Sequence, residues 1–320
     1  MATTQQPATL AGVLRHDEPA HGGIGGMARR EERWGYVFIA PWLLGFVLFT
    51  ALPMAAALAF SFTDFDLRRP DEIAFVGLRN YERLLADRDV AQSLVTTFRF
   101  IAVTVPLNLA VGLGLAVLLT SPRVAGKALL RTLFYLPIQI PLVAATLIWL
   151  GVLNGSNGWV NQLLEFVGIR GPDWIGDASW VPVSLALIGI WGVGNMMLIF
   201  IAGLQGVPTE LYDAARVDGA GAWTSFRRIT LPLITPVVFY NLLISLVVSF
   251  QVFVQPWVLK NGIPDEATNL FNVNLYREAF VFNQLGYASA LGWVLFVVIL
   301  AVTVVLFRTS RRWVYYAGER

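Results

Sequence analysis

The sequence predicts an all-α integral membrane protein with six transmembrane helices. Apolar residues make up 56% of the 320-residue chain and charged residues only 14%, whereas ordinary soluble domains contain roughly 45–50% and about 25%. The apolar residues are concentrated in stretches of about 20 residues, the length that a helix needs to cross a bilayer core. Charged residues fall almost entirely between these stretches. A soluble fold of this length would not bury so much apolar surface.

Six stretches are long and apolar enough to span a membrane. Several contain proline, which is tolerated in lipid when neighbouring helices or water satisfy the freed carbonyl groups. The prolines therefore indicate kinked helices around a cavity rather than a plain bundle. The predicted spans are 36–60, 94–119, 133–153, 181–204, 235–258 and 287–307, and their prolines include Pro41, Pro53, Pro106, Pro137 and Pro141.

The distribution of Lys and Arg predicts the orientation of these spans. An even number of spans places both termini on one side of the membrane, together with the second and fourth loops. That side carries fourteen Lys and Arg residues and the other side eight, and such an excess marks the cytoplasmic side. The loop 121–131 alone has three basic residues and no acidic one. Both termini are therefore predicted to be cytoplasmic.

The two ends of the chain are predicted to be tails of a six-span domain over 34–312. Residues 1–33 are polar, charged and contain glycine, which predicts a disordered N-terminal tail. Residues 313–320 form a short C-terminal tail. The apolar run after the N-terminal tail is too long for a cleaved signal peptide and has no convincing cleavage site, so the first span is expected to be retained.

The composition excludes several classes of function. The chain has no cysteine, which excludes disulfides, thiolate metal sites and cysteine nucleophiles. Its two histidines, His16 and His21, lie in the N-terminal tail, so a zinc site of the usual kind is not expected. None of the six predicted spans contains Asp, Glu or His, and an intramembrane enzyme would need such groups. The chain is therefore predicted not to be an enzyme and to hold no metal.

The loop 206–232, between the fourth and fifth spans, predicts a helix-turn-helix on the cytoplasmic face. Pro208 and Thr209 predict a helix start, with Thr209 as the cap. Glu210 is well placed for the positive end of the helix dipole. Gly219 supplies the turn that ends this helix.

The predicted loop helix has one face of small apolar residues. Leu211, Ala214 and Ala215 are spaced at i, i+3 and i+4, so they share a face. The two alanines leave a low surface that another backbone can approach closely. A second short helix is predicted over 223–229, and it leads through the Leu-Pro pair at 231–232 back into the membrane.

The spacing of residues in this loop is similar to the EAA motif of permease subunits of ABC importers. The motif usually has Glu where this chain has Asp213. The charge is kept on a side chain one methylene shorter, and the group that this carboxylate contacts is left open. Other segments resemble the sugar-importer branch of that family, related to the maltose and glycerol-phosphate permeases, and the resemblance covers 34–312. The residues of the motif are Asp213, Ala214, Ala215, Gly219, Ile229, Leu231 and Pro232, and the other segments are 53–64, 134–137 and 286–290.

The resemblance implies how the loop works. In such permeases the loop helix sits in a cleft of a cytoplasmic ATPase subunit, as a ball in a socket. Closure of the ATPase pair on ATP then switches the spans from inward-facing to outward-facing. The residues assigned to this coupling are Glu210, Leu211, Asp213, Ala214, Ala215, Asp218, Gly219, Ile229, Leu231 and Pro232.

The resemblance also implies the partners and the location. The partners are a second permease subunit, expected to be a different chain, two cytoplasmic ABC ATPase subunits and an extracytoplasmic solute-binding protein. ATP and Mg²⁺ belong to the ATPase, because Gly126-Lys127 lacks the upstream glycine and the following Ser or Thr of a P-loop. The expected location is the bacterial inner membrane, and no contact with nucleic acid is expected.

Polar and aromatic residues inside the spans are the candidates for a substrate path. Neutral amides and aromatic rings suit a hydroxyl-rich, uncharged ligand such as a sugar, although amides also join helices and aromatic residues also anchor span ends. Arg99 either snorkels to water at the outer end of the second span or binds an anionic group. A sugar or oligosaccharide is the predicted cargo, and glycerol phosphate or another polar solute is the alternative. The candidates are Trp191, Gly192, Asn195, Ser249, Gln251, Arg99 and Gln139.

Overall fold

The computed structural model describes residues 24–261 and 265–315. Within these ranges the regular structure is helical, apart from one isolated antiparallel bridge between Thr63 and Phe75. The all-α prediction is therefore confirmed. The chain divides into two compact units, Met1–Ala56 and Ala57–Arg320.

The α-helices are numbered here in chain order. The first eight are α1 (Ile24–Phe46), α2 (Leu52–Phe60), α3 (Arg79–Ala86), α4 (Arg88–Thr120), α5 (Lys127–Tyr135), α6 (Leu142–Val152), α7 (Trp159–Phe166) and α8 (Val181–Trp191). The remaining ones are α9 (Gly194–Gln205), α10 (Thr209–Val217), α11 (Ala222–Ser225), α12 (Leu231–Leu233), α13 (Thr235–Phe250), α14 (Val254–Leu259), α15 (Phe271–Tyr276) and α16 (Leu285–Ser310).

Three continuous helices are long and apolar enough to cross a membrane. They are Trp34–Phe60, Arg88–Thr120 and Leu285–Ser310, and they coincide with the first, second and sixth predicted spans. In the first of them a π-helical segment, Val47–Ala51, joins α1 to α2. Pro41 lies within α1 and does not break it.

The third and fourth predicted spans are bent helix pairs, and the fifth begins at a third bend. Lys127–Gln139 and Leu142–Val152 meet at 102°, and Val181–Trp191 and Gly194–Gln205 meet at 55°. The pair Ala222–Leu233 and Thr235–Phe250 meets at 66°. The described residues thus contain three continuous apolar helices, or six spans if each bent pair crosses once.

Proline causes the sharpest bend, in the third predicted span. Pro141 has no N–H, and the residue before a proline avoids the helical region. Ile140 accordingly has an extended backbone, with φ −78° and ψ 127°. A short 3-10 segment, Leu136–Gln139, precedes it. The interruption that the prolines predict is therefore a near right-angle turn rather than a kink.

Prolines also set both ends of the fifth predicted span, 235–258. At its start, the Thr235 hydroxyl donates to the Pro232 carbonyl at 2.6 Å, and the ring of Pro236 excludes a helical bond to that carbonyl. At its end, α13 stops at Phe250 and α14 begins at Val254. The prediction of one helix to 258 is wrong, because a helix through Pro256 would clash with the carbonyl four residues earlier.

The N-terminal tail is shorter than the sequence predicts. Helix α1 begins at Ile24, so the last ten residues of the predicted tail 1–33 are helical. Their run of Met, Ala, Arg and Glu has strong helix propensity, and it extends the helix of the first predicted span. Residues 1–23 lie outside the described residues, as do 316–320 in the predicted C-terminal tail.

Helix α4 is central to the unit Ala57–Arg320. It packs against α8, α9, α13 and α15. Its first half contributes to one cluster of buried apolar side chains and its last two turns to another. The first cluster includes Phe100, Ile101, Val105, Leu185, Ile188 and Leu291, and the second consists of Ala116, Leu119, Met197, Phe200 and Ile201.

A polar network joins α3, α4 and α16 at one end of this unit. The guanidinium of Arg83 lies 3.9 Å from the centre of the Tyr287 ring and 3.7 Å from a carboxylate oxygen of Glu278. The Tyr287 hydroxyl donates to Asp87 at 3.0 Å. Burial raises the pKa of the Glu278 carboxyl above its ordinary value, although Arg83 opposes the shift. These contacts tie the start of α4 to α3 and α16.

Candidate coupling loop and substrate path

The loop helix predicted from the sequence is α10, and it begins one residue earlier than a Thr209 cap requires. Pro208 occupies the N-cap position, and Thr209 is the first helical residue. No side chain makes a capping hydrogen bond at this end of the helix. The predicted cap at Thr209 is wrong, because Thr209 is already helical whereas an N-cap residue has a non-helical backbone. Glu210 lies in the first turn, where a negative charge complements the helix dipole.

Helix α10 ends in a Schellman turn at Gly219. This glycine has φ +74°, in the left-handed region that favours glycine. Its N–H donates to the Arg216 carbonyl at 3.0 Å, and the N–H of Ala220 donates to the Ala215 carbonyl at 2.8 Å. These two bonds satisfy carbonyls that the end of the helix leaves free. The helix therefore ends where the sequence predicts.

One side chain attaches α10 to the rest of the loop. The hydroxyl of Tyr212 lies 2.8 Å from that of Thr230, which is buried. On the helical face predicted to be small and apolar, Leu211 and Ala214 are exposed and Ala215 is half-buried. The exposed surface therefore consists of small and medium apolar side chains on a helix fixed by its neighbour.

Two exposed apolar residues beside this face were not predicted. Val217 is 88% exposed at the end of α10, and Trp223 is 72% exposed on α11. The Trp223 ring stacks on Phe226 at a centroid distance of 5.7 Å. Together with Leu211 and Val217, Trp223 makes this part of the loop an exposed apolar patch, which is typical of an interaction site, and its place in a polar loop was the available signal.

The charges on α10 lie at the rim of this surface. Asp213 and Arg216 form an exposed ion pair at 2.9 Å, and Asp218 is exposed at the end of the helix. Arg216 also lines an open cleft of about 710 Å³ together with Arg123, from the loop after α4. Within this chain, Asp213 therefore contacts Arg216 of its own helix.

The return segment of the loop differs from the single helix predicted over 223–229. Helix α11 ends at Ser225, a π-helical segment Phe226–Thr230 follows, and α12 leads to α13. Ile229 is half-buried in the π-helical segment, and Leu231 and Pro232 are half-buried in α12. These three residues thus form the base of the loop rather than its exposed face.

Three of the predicted substrate residues lie together at two helix breaks. A cavity of about 430 Å³ is lined by Gln139, Trp191 and Gly192, along with Pro141 and Ile188. Gln139 ends the 3-10 segment before the third predicted span turns, and Gly192 follows the end of α8. None of the described residues that line this cavity is charged.

A close backbone approach holds these two breaks together. Gly194 is the first residue of α9, and a Cβ atom there would lie 2.4 Å from the Phe134 carbonyl oxygen and 2.7 Å from the Tyr135 Cα. Any side chain at this position would force the two helices apart. Asn195, the next residue, is exposed on α9 and does not line the cavity.

The remaining predicted substrate residues lie away from this cavity. Ser249 is buried near the end of α13, and Gln251 follows that helix with its amide nitrogen 3.1 Å from the Val247 carbonyl. Arg99 is exposed on α4. The structure does not bring these three residues to the lining of the cavity.

Buried polar atoms beside the cavity were only partly anticipated. Among the described residues, Thr104 Oγ1, Asn108 Oδ1 and Trp149 Nε1 are buried without a hydrogen-bond partner. The Trp149 and Trp191 rings meet edge to face at 5.9 Å. Unpaired buried polar atoms are costly, so this region suits water or a polar ligand. The signal in the sequence was Thr104 and Asn108 at i and i+4 of an apolar helix.

Comparison with known proteins identifies the family. The sequence pattern of the family described as "Binding-protein-dependent transport system inner membrane component" matches residues 108–317. The chain belongs to this family. Like other members it is a permease subunit, so the prediction that it is not an enzyme is confirmed, and ATP hydrolysis belongs to a separate subunit.

Its relatives match over nearly their whole length. The permease is 39% identical over 296 residues to the "Probable ABC transporter permease protein YesP" of Bacillus subtilis (strain 168), covering 91% of this chain and 94% of that protein. It is 32% identical over 283 residues to the "Trehalose/maltose transport system permease protein MalF" of Thermococcus litoralis, covering 88% and 95%.

A solved structure shares the fold of the permease. It is a bacterial alginate ABC transporter in complex with an alginate pentasaccharide-bound periplasmic protein. The TM-score is 0.76 at 21% identity, and the match covers 89% of this chain and 96% of that one.

Proposed function

We propose that the permease is a translocation subunit of an ATP-driven importer for a sugar or oligosaccharide. The names of its relatives support this cargo, since they include transporters of trehalose and maltose, arabinooligosaccharides and diacetylchitobiose. The uncharged cavity at Gln139 and Trp191 favours a neutral, hydroxyl-rich ligand over glycerol phosphate. Amide groups pair with hydroxyls, and aromatic faces stack on the C–H faces of sugars.

The proposed topology has six spans with both termini in the cytoplasm of a bacterium. The third and fourth spans are then bent helix pairs, the fifth contains α13, and the excess of basic residues lies on the cytoplasmic side. The loop 206–232 falls between the fourth and fifth spans on that side. The proposed partners are a second permease subunit, two ATPase subunits that bind ATP and Mg²⁺, and an extracytoplasmic solute-binding protein.

The proposed coupling element is α10. The observation that carries this role is a short helix bonded to the base of the loop through Tyr212 and ended by the turn at Gly219, with an exposed face formed by Leu211 and Ala214. Such a helix would pass a movement to the base of the loop, because Tyr212 bonds to the buried Thr230 there. Closure of the ATPase pair would move α10 and thereby drive alternating access of the cavity.

The test separates transport from ATP hydrolysis. Ala215→Arg places a bulky charge on the docking face, and Gly219→Val strains the turn that ends α10. We expect both variants of the assembled importer to hydrolyse ATP while uptake is lost. Gly168→Val is the matched control, since Gly168 also has positive φ, at +80°, with open space around it.

Two results would contradict the coupling role. One is unchanged uptake in both variants of the loop 206–232. The other is an equal loss of uptake in the Gly168 control, which would show that the strain acts through folding rather than docking. The cargo is tested separately, by measuring binding of candidate sugars and of glycerol phosphate to the purified solute-binding protein.

A further inference from the structure

Helix α7, between the third and fourth predicted spans, exposes a row of large apolar side chains. Trp159, Leu163 and Phe166 are 70%, 71% and 91% exposed. Their spacing of i, i+4 and i+7 places them on one face of the helix. Val167 and Ile169, directly after the helix, are 65% and 54% exposed. We call these five residues the apolar stripe.

The side chains around α7 fall into three sectors. The apolar stripe occupies one sector, and Gln162 and Glu165 form an exposed polar sector beside it. The third sector, with Asn161 and Leu164, packs against the rest of the protein and is half-buried. A surface helix of a soluble protein buries its apolar face, whereas α7 leaves its apolar face open and packs a different one.

Three hydrogen bonds through Asn161 hold this orientation. Its amide nitrogen donates to the Gly155 carbonyl at 2.8 Å and to the Pro172 carbonyl at 3.0 Å. Its amide oxygen accepts from Trp174 Nε1 at 2.6 Å. A Schellman turn at Gly168 ends the helix, with the Gly168 N–H bonded to the Glu165 carbonyl at 2.9 Å. The exposure of the apolar stripe is therefore built into the fold.

The position of α7 identifies what covers the stripe. Helix α6 of the third predicted span ends at Val152, and α7 begins at Trp159, only six residues after Leu153. So short a connection keeps α7 near the level at which the chain leaves the bilayer. Trp159 begins the helix, and Trp180 directly precedes the next membrane helix. Tryptophan is enriched at that level of a membrane protein.

We infer that α7 lies in the membrane interface, with the apolar stripe in the boundary between lipid headgroups and acyl chains. An amphipathic helix in this position buries its apolar face in lipid and keeps its polar face in water. The polar sector of Gln162 and Glu165 then faces solvent. Helix α7 thus anchors the loop between the third and fourth spans to the bilayer, on the side opposite the loop 206–232 in the proposed topology.

The natural sequence allows a direct test because it contains no cysteine. Single cysteines replace Leu163 or Phe166 in the stripe and, as matched controls, Gln162 or Glu165 in the polar sector. Each full-length variant is labelled with a nitroxide and reconstituted into lipid vesicles, alone and with unlabelled partner subunits. Electron paramagnetic resonance then measures collision of each label with oxygen, which concentrates in lipid, and with a water-soluble nickel chelate.

We expect labels at Leu163 and Phe166 to collide more with oxygen than with the nickel chelate. Labels at Gln162 and Glu165 should instead collide more with the nickel chelate than with oxygen. The ratio of the two collision rates at each position should not change when the partner subunits are present. High nickel accessibility at Leu163 and Phe166 would show a water-facing stripe and overturn the inference. Protection from both reagents, with or without the partners, would show a protein cover and overturn it equally.

Discussion

The two short loop helices of the permease are built alike but expose different surfaces. Helix α10 has nine residues and α7 has eight, and each ends in a Schellman turn at a glycine with positive φ. Each is also held by a side chain that bonds elsewhere in its own loop, Tyr212 in one and Asn161 in the other. Both are therefore rigid platforms.

The difference lies in the size and charge of the exposed side chains. Helix α10 presents Leu211 and Ala214 beside the ion pair of Asp213 and Arg216. Helix α7 presents two aromatic rings and a leucine, and its single charge, Glu165, lies on another sector. Small residues let a partner approach closely, and charges at the rim fix its orientation, as in a protein socket. Large apolar residues without charge suit lipid. The same framework thus serves two kinds of partner.

Removing the attachment of α7 should have the largest effect on stability. Asn161→Ala deletes three hydrogen bonds, which at about 1 kcal/mol each should lower the free energy of unfolding by about 3 kcal/mol. Thermal unfolding of the purified permease in detergent measures the change. Glu165→Ala, an exposed position on the same helix, is the control and should change stability by less than about 0.5 kcal/mol. Equal melting temperatures for the two variants would mean that Asn161 does not hold α7.

The two turn glycines should respond alike in stability and differently in transport. A Cβ atom at Gly219 or Gly168 has no other atom within 4 Å, so the main cost of each valine should be the left-handed backbone strain, about 1–2 kcal/mol. We expect similar falls in melting temperature for both variants. Uptake should be lost only in the Gly219 variant. Parallel losses of uptake would remove the functional distinction between the two helices.

The smallest effect on stability is expected at the charged rim of α10. Asp213→Asn breaks an ion pair whose side chains are 69% and 77% exposed, and such pairs contribute about 0.5 kcal/mol or less. Melting of the permease should therefore be unchanged, while uptake falls if the carboxylate contacts a partner. Asp213→Glu keeps the charge and should retain uptake. Glu165→Gln on α7 should alter neither the melting temperature nor uptake. A loss of uptake in this variant would contradict the proposal that only the charge on α10 serves coupling.

The local features of both loops follow from sequence, whereas their attachments do not. Gly219 ends a helix because glycine adopts positive φ without steric cost. A glycine after a helical pattern can be recognised in the sequence without knowledge of any tertiary contact. The contacts of Asn161 with Gly155, Pro172 and Trp174 join residues up to thirteen positions apart, and no periodicity reveals them. The exposure of Trp223 likewise depends on the path of the loop.

The spans show the same division. The three continuous helices were predicted from length and hydropathy alone, and the proline positions indicated interruptions. The size of each bend depends on which carbonyl loses its partner and what replaces it, as at Pro232, where the Thr235 hydroxyl donates. The meeting of Gly194 with the Phe134 carbonyl required the structure. That contact explains why Gln139 and Trp191 share a cavity while Asn195 lies outside it.

The most direct test of the coupling role is photo-crosslinking in the assembled importer. A photoreactive phenylalanine derivative replaces Leu211 on α10 or, as the matched position, Leu163 on α7; both side chains are exposed, at 42% and 71%. We expect Leu211 to crosslink to the ATPase subunit and Leu163 to give no crosslink to that subunit. Absence of the ATPase from the Leu211 product, or its presence in the Leu163 product, would contradict the role of α10 as the coupling helix.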